Sequence, residues 1–281
     1  MAIDSTTNQI YIADRNVGIH QLNADTTGLY GSQPFLLKND WLPYYNDEIS
    51  WGSITGGFTR DSKGIYWMTK KFNGLGLLRF TNADIYSGGG AGKTKHFKML
   101  FKDAIIKTAY LDEKNGFYYM FVQRDAYGAK PGVYRIALSK LQNADGSDID
   151  GNEMLKIADC ELIDDSPVKL EGNSDSGEIA NIAQINGDGE NVFWGYVAPA
   201  TDADAIAGST ALDAANPLHK SGIKTIKATG TPTVTFAVEG VEAFGLCGAT
   251  YVAPPEVMPE SITLNIVSYE AKRSGDELQL V

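Results

Sequence analysis

A repeated two-strand unit predicts an all-β chain, specifically a β-propeller of about five four-stranded antiparallel blades, or six if two units are merged. Three observations lead there. A polar turn followed by an apolar-aromatic strand recurs four times. Each recurrence is followed by a second strand that opens with glycine. The repeats keep a spacing too long for a solenoid and close to that of a blade.

In the first unit Asp4-Ser5-Thr6-Thr7-Asn8 leads into Ile10-Tyr11-Ile12-Ala13, then Gly18-Ile19-His20-Gln21-Leu22. The second runs Asp61-Ser62-Lys63-Gly64, Ile65-Tyr66-Trp67-Met68, then Gly76-Leu77-Leu78-Arg79-Phe80. The third is Asp112-Glu113-Lys114-Asn115-Gly116, Phe117-Tyr118-Tyr119-Met120, then Gly132-Val133-Tyr134-Arg135-Ile136. The fourth is Asn186-Gly187-Asp188-Gly189, Val192-Phe193-Trp194, then Gly222-Ile223-Lys224-Thr225-Ile226. Asp, Asn, Ser and Gly supply the side-chain-to-backbone bonds and positive φ angles of tight hairpins. The β-branched and aromatic runs suit a buried pleated strand. The glycine-led strand alternates, which predicts one packed face and one face toward water.

The aromatic anchors Tyr11, Tyr66 and Tyr118 are spaced by 55 and 52 residues. That leaves room in each unit for an earlier and a later strand. Ser50 to Arg60 and Ala104 to Asp112 read as entering strands; His96 to Lys102 and Met154 to Glu161 read as closing ones. The fourth unit runs from Glu178 to Val238 and closes with Thr233-Val234-Thr235-Phe236. A degenerate fifth takes Val241 to Cys247, Ala249 to Ala253, Ile262 to Ile266 and Glu277 to Val281. The first unit starts too abruptly to own a complete first strand, so ring closure is expected to combine N- and C-terminal strands. Repeat signals flank both the 199–221 stretch and Pro254-Pro255, so residues 1–281 form one expected domain with a loop insertion at about 198–221.

Asp4 to Asn8 followed by Ile10-Tyr11-Ile12-Ala13-Asp14 resembles the NHL-type and YVTN-type propeller repeats. The resemblance covers about twenty residues well and the next two units loosely. It implies the fold and no particular chemistry, since such repeats serve sensors, binders and enzymes alike.

Composition narrows the function. Across 281 residues, 35 acids against 24 bases give a net charge of −11, which disfavours nucleic acid and anionic membranes as partners. No apolar run approaches the roughly 18 residues of a membrane span. Met1-Ala2-Ile3-Asp4 enters a strand pattern with no leader segment, which fits a cytoplasmic protein or a mature fragment. Cys160 and Cys247 are read as two buried thiols in preference to one disulfide.

Function is expected on one face. Short strand A to strand B turns contrast with strand B to strand C connections that lengthen from unit to unit. From aromatic anchor to strand-C glycine the spacing rises through 7, 10, 14 and 29 residues. That face would carry Lys70-Lys71-Phe72-Asn73, Arg124-Asp125-Ala126-Tyr127, the long insertion, and the 39–48 and 164–178 connections. Trp41, Tyr44 and Tyr45 suit stacking on sugar rings or docking a partner. Asp47, Glu48, Lys71, Phe72, Arg124 and Tyr127 complete the candidate binding set. Packing over blade edges accounts equally for the aromatics. Trp51, Trp67, Tyr119 and Trp194 lie inside strand runs and read as core.

Other motifs carry less. Gly88-Gly89-Gly90-Ala91-Gly92-Lys93-Thr94 lacks the first glycine of a phosphate loop, which would stand at Ser87, and reads as a loop. In Asp145 to Glu153, placing Gly151 at the sixth position of a calcium loop puts Gly146 first and Ile157 twelfth, so both anchor acids are missing. No cofactor is expected: Asp145, Asp148 and Asp150 read as an ordinary polar loop, with a looser calcium site there as the lesser alternative. His20, His96 and His219 are scattered.

The preferred function is a non-enzymatic binding platform, extracellular, cell-surface or periplasmic, recognising glycan or protein. The alternative is a carbohydrate hydrolase with two carboxylates roughly 5–9.5 Å apart at the central channel, drawn from Asp47, Glu48, Asp103, Glu178 and Glu242.

Overall fold

The computed structural model describes residues 2–4, 9–14, 18–22, 36–37, 53–71, 76–81, 98–101, 104–124, 130–152, 155–166, 182–197, 220–241, 271–274 and 277–280. The chain divides into two compact units, Met1–Thr250 and Tyr251–Val281.

Among the described residues the first unit holds four four-stranded sheets, all antiparallel and all in chain order. The first contains β1 (Ala2–Asp4), β2 (Gln9–Asp14), β3 (Gly18–Gln21) and β4 (Leu36–Leu37). The second contains β5 (Ser53–Arg60), β6 (Tyr66–Lys71), β7 (Leu77–Phe80) and β8 (Lys98–Leu100). The third contains β9 (Ile105–Asp112), β10 (Phe117–Arg124), β11 (Gly132–Ala137) and β12 (Glu161–Asp164). The fourth contains β13 (Ile182–Gly187), β14 (Asn191–Tyr196), β15 (Gly222–Lys227) and β16 (Thr235–Glu239). The first strands of successive sheets are neighbours, β1 to β5, β5 to β9 and β9 to β13. An up-and-down sheet order with first strands side by side is what a series of propeller blades requires.

Packing between sheets explains the strand compositions. On β10, Tyr118, Met120 and Val122 join Trp67, Leu77 and Leu100 of the second sheet, while Tyr119 and Phe121 join Val192, Trp194 and Tyr196 of the fourth. Alternate residues point to opposite faces, so a strand sandwiched between two sheets reads as a continuous apolar run. The anchors themselves meet across sheets. Tyr11 stands edge-on to Tyr66 at 5.5 Å, and Trp67 stacks on Tyr118 at 5.2 Å.

In the second, third and fourth sheets the glycine that opens the third strand has a steric cause. A Cβ on Gly76 would lie 2.5 Å from the Phe101 carbonyl oxygen, and one on Gly132 would lie 2.7 Å from that of Asp164. On Gly222 it would collide with the Val238 oxygen. In the last two cases the adjoining ladder slips register, between Val133 and Tyr134 and between Ile223 and Lys224. The closing strand therefore bulges onto the glycine, where no side chain fits.

Several expectations are corrected. The first sheet does own a first strand, since Ala2–Asp4 pairs with Gln9–Tyr11. Met154 to Cys160 contributes no strand residue among those described; Ile157–Asp159 is a 3-10 turn in which the Asp159 carboxylate accepts the Lys156 N–H at 2.7 Å, and the strand begins at Glu161. The glycine-led strands of the second and third sheets do not leave a face to water: Leu77–Phe80 is buried throughout, as is Gly132–Ile136, with neighbouring sheets covering both sides. In the fourth sheet Gly222–Lys227 does alternate, with Ile223 and Thr225 half-buried between buried residues.

The second unit contains the hairpin β17 (Ala271–Ser274) with β18 (Glu277–Leu280). Of the expected fifth blade, residues 242–270 lie outside the described residues.

Candidate functional site

The two ends of the sheets are built differently. At one end, in the second, third and fourth sheets, the turn from first to second strand is closed by an aspartate. Asp61 accepts the N–H groups of Lys63 and Ile65 at 3.0 and 2.8 Å, and the Trp67 indole N–H at 2.9 Å. Asp112 accepts Asn115, and Asp188 accepts the N–H groups of Glu190 and Asn191 at 2.8 and 2.7 Å. Such side-chain acceptors fix a tight turn where the backbone lacks partners.

Successive turns are also tied to one another. Ser62 donates its N–H and hydroxyl to the Glu113 carboxylate, and the Asn115 amide donates to Gly189 O at 3.0 Å. From the third strands, Arg79 reaches Leu141 O, Gln142 Oε1, Gly146 O and Asp148, while Arg135 reaches Gly230 O. This end is a scaffold.

At the opposite end the second strands finish and the third strands begin, and the fourth strand of one sheet gives way to the first of the next. The segments between these strand ends, 15–17, 72–75, 125–129, 198–219, 38–52, 102–103 and 167–181, lie outside the described residues. Trp41, Tyr44, Tyr45, Asp47, Glu48, Phe72 and Tyr127 fall there, as do Asp103 and Glu178; Glu242, His96, His219, Cys247 and the 88–94 loop are likewise undescribed. Lys71 and Arg124 are placed as strand rather than loop residues. Lys71 ends β6 opposite Ser53, and Arg124 ends β10 opposite Ile105, so both stand where a connection of this end departs.

The loose calcium site does not form. Among the described residues no three His, Cys, Asp or Glu side chains converge on a metal position. Asp145 instead caps Ser147, and Asp148 pairs with Arg79.

Just beneath the loop end lies a buried polar cluster. Lys224 on β15 is fully enclosed, with Nζ 3.0 Å from Asp164 Oδ2 and in contact with Ser166 Oγ. The other Asp164 oxygen accepts the Ser166 N–H and hydroxyl at 3.0 and 2.5 Å. Trp194 Nε1 donates to Oδ2 at 3.1 Å, and the Tyr196 hydroxyl donates to Ser166 O at 3.3 Å. Nζ also sits 3.8 Å from the Tyr196 ring centroid. Burial pushes the Lys224 amine below the usual lysine range, against the pull of Asp164 and Asp165. Burial, with the Asp164 charge beside it, raises the Tyr196 phenol. The ion pair links the last strand of the third sheet to the third strand of the fourth.

One signal for this cluster exists in sequence. The residue after each aromatic anchor pairs across the ladder with a basic residue in all four sheets: Ile12 with His20, Trp67 with Arg79, Tyr119 with Arg135, and Trp194 with Lys224. A base at a position that alternation turns inward needs a buried acceptor. Asp164 and Ser166, from a neighbouring sheet, carry no such mark.

No protein-family model matches the chain, and no curated protein matches it. Among solved structures, a nidogen–laminin complex is similar with a TM-score of 0.45 and 11% identity, over 82% of this chain and 61% of that one. PorZ, a bacterial surface component of the type-IX secretion system of Porphyromonas gingivalis, is similar with a TM-score of 0.42 and 11% identity, over 86% of this chain and 29% of that one. The chain thus spans about three fifths of the first and under a third of the second.

Proposed function

We propose that the chain is a β-propeller of about five blades that acts as a non-enzymatic binding platform. Its ligand is a glycan or a protein, held by the loops at the end opposite the aspartate-closed turns. The observation that carries this is the division of labour between the two ends. One end invests its polar side chains in turn closure and inter-sheet ties. At the other end the strands bounding the long connections terminate, and the sequence puts Trp41, Tyr44 and Tyr45 in one of those connections, where their rigid amphipathic rings would suit a contact surface. Asp47, Glu48, Lys71, Phe72, Arg124 and Tyr127 supply its charge and rim. The acidic chain and its turns rich in Asn, Thr, Ser and Gly suit an extracellular, cell-surface or periplasmic setting.

The test is saturable binding of the full chain to a printed glycan array and to a panel of purified extracellular matrix proteins. Trp41→Ala and Tyr44→Ala variants are run beside it. Binding that these substitutions weaken at least tenfold supports the proposal. Turnover of aryl glycosides, abolished by changes at Asp47 or Glu48, would replace it with a hydrolase.

A further inference from the structure

We propose that Lys224 and Asp164 condense into an intramolecular isopeptide bond, tying β12 of the third sheet covalently to β15 of the fourth. The inference is independent of the binding role. Nζ stands 3.0 Å from Oδ2, and the two side chains are 0% and 1% exposed. Trp194, Tyr196 and Phe236 surround the pair, with Nζ 3.8 and 5.9 Å from the centroids of the last two rings. Two charges in such surroundings are costly, and passing one proton along their hydrogen bond leaves a neutral amine beside a neutral acid. Burial already biases the amine toward its uncharged form. An uncharged lysine is a nucleophile.

The remaining contacts stand where the step needs them. With the shared proton on Oδ2, Nζ adds to the Asp164 carboxyl carbon, and negative charge develops on Oδ1. That oxygen is held by the Ser166 N–H at 3.0 Å and the Ser166 hydroxyl at 2.5 Å, two donors aimed at the developing charge. Ser166 Oγ also touches Nζ, so it can take the surplus proton from nitrogen and pass it to Oδ1. The bond from carbon to Oδ2 then breaks, assisted by Trp194 Nε1 at 3.1 Å. Oδ2 leaves as water, carrying its own proton and the one passed through Oδ1. One amide bond forms, one water is released, and no oxidant or cofactor is consumed.

The experiment is the intact mass of the purified, folded full chain, measured under denaturing conditions, followed by tandem mass spectrometry of its peptides. The expected result is a chain lighter than its sequence by one water, with the loss carried by a branched peptide joining Asp164 to Lys224. Lys224→Ala and Asp164→Ala restore the full mass, and Ser166→Ala lowers the cross-linked fraction. A wild-type mass equal to that of the sequence overturns the proposal. So does a water loss mapping to succinimide at Asp145-Gly146, Asp150-Gly151 or Asp188-Gly189. The wild-type measurement decides by itself, whether or not a variant folds.

Discussion

The guanidinium of Arg79 lies over the indole of Trp67, its central carbon 4.6 Å from the ring centroid. From there its two terminal nitrogens serve Leu141 O, Gln142 Oε1, Gly146 O and Asp148 in the connection between β11 and β12. Lysine offers one ammonium and no planar fork, so Arg79→Lys leaves buried acceptors unpaired. We expect a loss of about 2–3 kcal/mol in urea unfolding. Asp148→Asn, at a side chain 45% exposed, should cost less than about 1 kcal/mol. Equal losses in the two variants would show that the ion pair, and not the neutral acceptors, dominates.

The strand-opening glycines make a second, steric prediction. Gly76→Ala brings a methyl group within 2.5 Å of the Phe101 oxygen and 3.1 Å of Ile106 Cδ1. Backbone must move to admit it, and overpacking of this kind costs about 1–3 kcal/mol. Gly116→Ala meets nothing within 4 Å and carries only its positive φ of 76°, worth about 1–2 kcal/mol. Circular dichroism should show a displaced β8 in the first variant, as reduced strand signal, and an unchanged spectrum in the second.

Alkaline titration tests the packing between sheets. Burial, reinforced by Asp112 and Asp188, pushes the Tyr110 phenol up to about 12, and burial does the same for Tyr134. In the unfolded chain a tyrosine ionises near pH 10. The folded value is the higher one, so the stabilisation is complete below about pH 10 and is lost as pH rises toward about 12. Ultraviolet titration should therefore show these phenols ionising late, with stability falling over the same window. A single transition near pH 10 in folded protein would contradict the burial.

The four units were legible because each strand must satisfy a local rule: turn acceptors such as Asp61 and Asp188, aromatic anchors such as Tyr66, and the glycine that a bulging neighbour demands. The complete burial of the third strand in the second and third sheets is not legible. Alternation in Gly132-Val133-Tyr134-Arg135-Ile136 looks amphipathic, yet a second sheet covers the outer face and Arg135 is buried over Phe117. The Lys224 cluster was hidden for a related reason. Its partners lie 58 and 60 residues away, and only inter-sheet packing brings them together. The 3-10 turn at Ile157 was missed because Met154-Leu155-Lys156-Ile157 alternates like a strand, while Asp159 folds back on Lys156.

In the proposed function the turn end of the sheets serves the fold alone, while the loop end, above the Lys224–Asp164 tie, holds the ligand. The most direct test measures binding and unfolding on the same set of variants at both ends. Arg79→Lys should lower stability and leave the affinity of the folded protein for its glycan or protein ligand unchanged. Trp41→Ala and Tyr44→Ala should lower affinity at least tenfold with an unchanged unfolding midpoint. Loop variants that bind as the wild type does, or that lose binding only in step with lost stability, would contradict it.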